Sequence, residues 1–117
     1  MVAAAAPVAS TESDEAAIRR ILADYARALE SRDVTHLRTA YPGLTTEQAD
    51  AWRTFFGTVS ELAVTQDIGD IAIDGSIARV QVQATHDYRA TRGERRTFSF
   101  RATLRREASG WRLTGIE

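Results

Sequence analysis

The sequence contains no cysteine, which excludes disulfides, zinc–thiolate sites and a cysteine nucleophile. It contains no lysine either, so Schiff-base chemistry and the phosphate-gripping lysine of a P-loop are excluded. Asparagine is also missing and alanine is abundant, a pattern of genomic GC bias more than of function. No apolar run approaches membrane-spanning length, and no G-x-S-x-G, G-x-G-x-x-G or Walker pattern occurs. The two histidines, His36 and His86, lack a matched acidic cluster, so neither a metal nor a cofactor is expected.

What is present fits one soluble domain. The chain has 117 residues, 44% hydrophobic and 26% charged, enough for a single core. Net charge is −1 but uneven. Residues 1–88 carry 7 Arg against 13 acidic residues, and residues 89–117 carry 8 Arg against 3. The favoured reading is that the two halves neutralise each other in the fold; the alternative is an anion-binding or acidic-partner surface on the C-terminal strands. A near-neutral total argues against nucleic-acid binding.

The opening "MVAAAAPVASTES" lacks a positive n-region and fails as a signal peptide. Residues 1–12 read as a flexible Ala/Pro-rich lead-in or linker from a larger protein, and residues 13–117 as the domain. As a free-standing chain the domain would be cytoplasmic; cut from a membrane-anchored parent it would be extracytoplasmic. The sequence does not choose between these compartments.

Helical periodicity starts after Ser13, an N-cap followed by Asp14 and Glu15. Ile18, Ile21, Leu22, Tyr25 and Leu29 form one apolar stripe, with Glu15–Arg19 paired on the outer side. Asp33 caps a short second helix with Val34, Leu37 and Tyr41, stopped by Pro42-Gly43. Thr45 and Gln48 have capping-box spacing for a third helix, with Thr46 as a rival cap. Ala49, Trp52, Phe56 and Val59 follow at helical intervals, with fraying expected near Gly57.

From Glu61 the period changes to two. "ELAVTQDIGDIAI" reads as a strand with a bulge at Gly69, and "DG" at 74–75 as a hairpin turn. Strands over 77–90, 95–107 and 111–117 complete an antiparallel meander. The expected fold class is α+β, three N-terminal helices packed on a curved four-stranded antiparallel sheet, a cone-like cystatin-type roll. Ala78, Val80, Val82, Ala84, His86 and Tyr88 should face the helices, as should Phe98, Phe100, Ala102 and Leu104. Gln81, Gln83, Thr85, Asp87 and Arg89, with Arg95, Thr97, Ser99, Arg101, Thr103 and Arg105, should face outward.

"DEAAIRRILADYARALESRDVTHLRTAY", a third helix, long strands and a closing "GWRLTGIE" together resemble the nuclear transport factor 2-like superfamily over about residues 12–117. Its members include ketosteroid isomerase, scytalone dehydratase, limonene epoxide hydrolase and the SnoaL-like cyclases. "YPGLTTEQADAWRTFF" is similar to domains at the C-terminal end of bacterial serine/threonine kinase-like signalling proteins. This narrower resemblance implies a noncatalytic ligand-binding or dimerisation module.

The resemblance also implies where enzymatic residues would fall. Tyr25 occupies the helical tyrosine position of ketosteroid isomerase. Its proton-shuttling aspartate would fall in "AYPGLTT" and its oxyanion acid near Ala102, and neither is present. The Asp–Arg–Asp set of limonene epoxide hydrolase has no inward acid here, because Asp24 and Asp87 both point away from the inner faces. A dehydratase-like pairing of His86 with Tyr88, assisted by Tyr25, is the best catalytic constellation, since a neutral-range imidazole can act as a base and a phenol can polarise a carbonyl.

The favoured expectation is binding without catalysis. Tyr25, Trp52, Phe56, His86, Tyr88 and Phe100 are the expected liners for a small apolar ligand. The alternative is a lyase, hydrolase or isomerase using His86. The resemblance further implies a homodimer through the outer sheet face, at Arg89, Arg101, Thr103 and Arg105; the alternative is a solvated face.

Overall fold

Each helix begins where a side chain satisfies its first free amides. In the computed structural model, which describes residues 13–117, Ser13 Oγ accepts from the Ala16 amide and starts α1, Asp14–Glu30. Asp33 does the same for Thr35 at the head of α2, Val34–Ala40. A complete capping box opens α3, Thr46–Thr58: the Gln48 amide donates to Thr45 Oγ1 and the Thr45 amide to Gln48 Oε1. Thr45, not Thr46, is therefore the cap. The helix ends at Thr58, one residue past Gly57, close to where the sequence suggests that it should stop. The lead-in over residues 1–12 lies outside the described residues.

Four antiparallel strands follow in simple meander order: β1 Glu61–Asp74, β2 Ile77–Arg89, β3 Gly93–Glu107 and β4 Gly110–Ile116. Between Ile68 and Ile71 the β1–β2 register shifts. Gly69 sits in that bulge, where an added Cβ would come within 3.3 Å of the Gln81 carbonyl oxygen. A bulge sharpens local twist, which helps curl the sheet round the helices.

Alternation sorts the faces as expected. Ile18, Leu22 and Leu29 of α1 and Leu37 of α2 bury themselves against Val80, Val82, Leu104 and Leu113 of the sheet. Gln81, Gln83, Arg89, Arg95, Thr97, Ser99, Arg101 and Arg105 are exposed on the other side, with Thr85, Asp87 and Thr103 half-buried. Phe98 departs from the expected pattern. It is on the inner face yet 41% exposed. β4 pairs only with the Ala102–Glu107 half of β3, and Glu117 closes the ladder by exchanging two 3.0 Å backbone bonds with Arg101. Phe98 therefore lies beyond the edge that β4 covers.

Contacts between distant parts of the chain fix the two ends of the roll. At one end Asp14 accepts from Trp111 Nε1 at 3.1 Å and from Arg106 at 2.5 Å, while Arg106 lies over the Trp111 ring at 4.6 Å. Those bonds hold the Asp14 carboxyl below its ordinary range. They fasten α1 to the closing hairpin and join the acidic N-terminal half to the Arg-rich C-terminal half. At the other end α3 lays Trp52 and Phe55 over His86 and Tyr88. The candidate site lies under that second end.

Candidate functional site

A cavity of about 220 Å³ lies between the helices and the inner sheet face. α1 contributes Tyr25 and Leu29, the α2–α3 turn Tyr41 and Leu44, and α3 Gln48 and Trp52. From the sheet come Val64, Gln66, Ala84, His86, Phe98, Phe100 and Ile116. Toward the open end a second chamber of about 370 Å³ shares Trp52, His86 and Phe98 with the first and adds Phe55, Tyr88 and Arg96.

The rings interlock. Tyr25 meets Tyr41 edge-on at 5.9 Å and Phe100 at 6.4 Å. His86 stands edge-on to Phe98 at 4.7 Å and tilted to Trp52 at 6.3 Å. Such edge contacts are favourable geometries for aromatic pairs. They also stiffen the walls.

Of the expected liners, Tyr25, Trp52, His86 and Phe100 surround the inner cavity, and Tyr88 lies in its mouth. Phe56 lines neither chamber. It stacks on Trp52 at 5.6 Å and borders the surface at Ser31–Thr35, because one further helical turn carries it past the cavity. It supports Trp52 from behind.

Three polar liners were not legible as such. Tyr41 reads as a stripe residue, but its buried phenol lies close to the Gln48 side chain and the Ile116 backbone. Gln48 reads only as a cap. Gln66 sits on the inner face of β1, where alternation from Leu62 and Val64 could have revealed it. Its Nε2 is buried with no hydrogen-bond partner among the described residues.

Burial governs the electrostatics. It pushes the Tyr25 and Tyr41 phenols up, so both stay protonated donors at neutral pH. Burial pushes His86 below the ordinary histidine value. No carboxylate lines either chamber. Asp24 is held by Arg27 and Arg20, Asp87 by Arg95 at 2.7 Å, and His36 by Ser31 at 3.2 Å. His86 thus has aromatic neighbours where a catalytic base would need an orienting partner. Tyr88 Oη accepts from Arg96 Nε at 3.0 Å, which commits its hydroxyl to the mouth.

The His86 shift has a consequence for stability. The unfolded chain protonates His86 as pH falls through about 6.5, while the folded chain resists protonation until its own lower value. Stability should therefore drop between about pH 7 and 5, above the carboxylate range. His86→Phe should flatten that drop, read from urea midpoints at the two pH values. An unchanged slope would mean that His86 is solvated in the fold.

No protein-family model matches the sequence, and neither does any curated protein. Solved structures do match. A conserved protein from Planctomyces limnophilus superposes with a TM-score of 0.75 at 18% identity, covering 88% of this chain and 92% of that one. A candidate dehydratase of the nuclear transport factor 2-like family from Streptomyces avermitilis gives 0.72 at 12%, covering 86% and 90%. A domain of unknown function with a cystatin-like fold from Nostoc punctiforme gives 0.72 at 15%, covering 91% and 76%. The chain has the nuclear transport factor 2-like fold. At these identities the likeness establishes architecture and carries no activity. The cone expected of the nuclear transport factor 2-like fold is here, with the cavity at its centre. Among the described residues, no helix is long and apolar enough to cross a membrane.

Proposed function

We propose that this domain binds a small, mostly apolar ligand with one hydrogen-bonding group, and does so without chemistry. The observation that carries the reading is the inner cavity itself, with Gln66 in its wall; Gln66 Nε2 is buried and has no hydrogen-bond partner among the described residues. A buried donor left unpaired costs roughly 1–3 kcal/mol, and a ligand acceptor would remove that cost. Size sets the ligand class. An apolar cavity of about 150 Å³ accepts benzene, so 220 Å³ suits one substituted ring. The alternative, proton transfer by His86, is disfavoured by a lowered basicity and the lack of any acid facing it.

The test uses p-cresol. Trp52 is in the cavity wall and Trp111 is remote from it, so a Trp111→Phe background leaves Trp52 as the fluorescent reporter. Saturable quenching by p-cresol supports the reading; a linear, collisional response overturns it.

The same proposal places the domain as an accessory module of a larger bacterial signalling protein that pairs with a second copy through the outer sheet face. Thr85 and Thr97 hydroxyls already meet there at 3.2 Å, and Arg101 and Arg105 are exposed. Such a face offers hydrogen-bonding groups to a twin. Arg101→Glu would then replace a donor of that face with a carboxylate that can only accept, and light scattering should show the mass halve. An unchanged dimer mass, or a monomeric wild type, would remove the outer face from the proposal.

A further inference from the structure

The mouth of the cavity carries a charge that an apolar ligand would not need. Arg96 stands on the inner face of β3, directly opposite His86 in the β2–β3 register. Its Nε donates to Tyr88 Oη at 3.0 Å, and Tyr88 is braced edge-on by Phe55 at 5.2 Å. This fixes one edge of the guanidinium. Among the described residues no carboxylate is within ion-pair distance of it, including Glu94 two residues away on the same face. Arg95, its neighbour on the outer face, is by contrast held by Asp87 at 2.7 Å.

A guanidinium is permanently charged and offers a planar fork of donors that matches a carboxylate. Here Arg96 lines a chamber together with Trp52, Phe55, His86, Tyr88 and Phe98. Arg96 is itself exposed, so a charge pair formed there remains open to screening by salt. His86 cannot supply that charge near neutral pH, since burial keeps it neutral. Successive inward residues on a strand lie about 6.6 Å apart. Arg96 is one such step from Phe98, so a ring against Phe98 and Trp52 needs only a short spacer to reach it.

We propose that the site takes a small arylalkanoate, its ring against Trp52 and Phe98 and its carboxylate on the Arg96 fork. The assignment rests on the cavity being a ligand site, and adds the ligand's charge and the residue that reads it. Arg96 is a specificity residue of the mouth.

The experiment compares 3-phenylpropionate with its neutral amide, 3-phenylpropanamide, by Trp52 fluorescence in the Trp111→Phe background. The acid should bind at least tenfold more tightly than the amide, with the preference shrinking as salt is added. Arg96→Gln should bring the ratio near one, chiefly by weakening the acid. Arg96→Lys should keep part of the preference, and Arg101→Gln on the outer face should keep all of it. Equal affinities in the wild type, or a preference that survives Arg96→Gln, would overturn the carboxylate assignment and leave the cavity reading intact. Failure of both probes to bind would overturn the arylalkanoate assignment, while the p-cresol titration decides the cavity reading separately.

Discussion

Replacing Ala84 by Leu should abolish p-cresol binding while leaving the domain at least as stable as before. Ala84 is 1% exposed and sits mid-way along β2, paired with Gln66 on one side and Phe98 on the other. All three line the inner cavity. The added isopropyl group would enter the space that the ligand is proposed to fill. Each methylene buried is worth about 0.8 kcal/mol, set against about 1–3 kcal/mol where a core is already full. With space available, a net gain of roughly 1 kcal/mol is expected. Binding should weaken by more than tenfold, more than about 1.4 kcal/mol. Fluorescence titration reads the first effect and urea unfolding the second. A stable variant that still binds p-cresol would move the ligand out of this cavity. A variant that loses several kcal/mol would mean that the walls do not leave room for the side chain.

The polar residues near that cavity explain how far the sequence could be read. Helix starts were legible because each is decided within four residues: Ser13 with Ala16, Asp33 with Thr35, Thr45 with Gln48. Sheet faces were legible because alternation is a local rule, and Ala78, Val80, Val82 and Ala84 all obey it. Arg96 shows where the rule was applied too narrowly. It shares parity with Phe98 and Phe100, but an arginine beside Arg95 invites the reading of a charged outer run. Tyr41 failed for another reason. Its role depends on Ile116, a partner that no spacing argument brings near it. Phe56 was misplaced because helical periodicity separates buried from exposed but does not say how far along the axis a cavity extends.

The other non-local dependence is carried by a glycine, and it sets the second large expectation. Gly43→Ala should destabilise the domain by about 2–3 kcal/mol, at the upper part of the range for overpacking. A Cβ at Gly43 would lie 2.6 Å from the Thr114 carbonyl carbon and 2.9 Å from its Cα, and closer still to the carbonyl oxygen. These are backbone atoms of β4, which cannot rotate aside as a side chain would. The backbone of the Pro42-Gly43 turn, or β4 itself, must move. The turn is tied down by the Leu44 amide bonding to the Tyr41 carbonyl at 3.1 Å, so displacement would carry Tyr41 and Leu44 with it. Both line the cavity beside Ile116 of β4. The variant should accordingly lose stability and ligand affinity together, unlike Ala84→Leu, which loses affinity alone. Gly57→Ala is the matched control. Nothing lies within 4 Å of its added Cβ, and within α3 the change should stabilise by about 0.5–1 kcal/mol. If Gly43→Ala unfolded at the wild-type urea midpoint, the α2–α3 turn would not rest on β4, and the cavity would lose the floor on which its size depends.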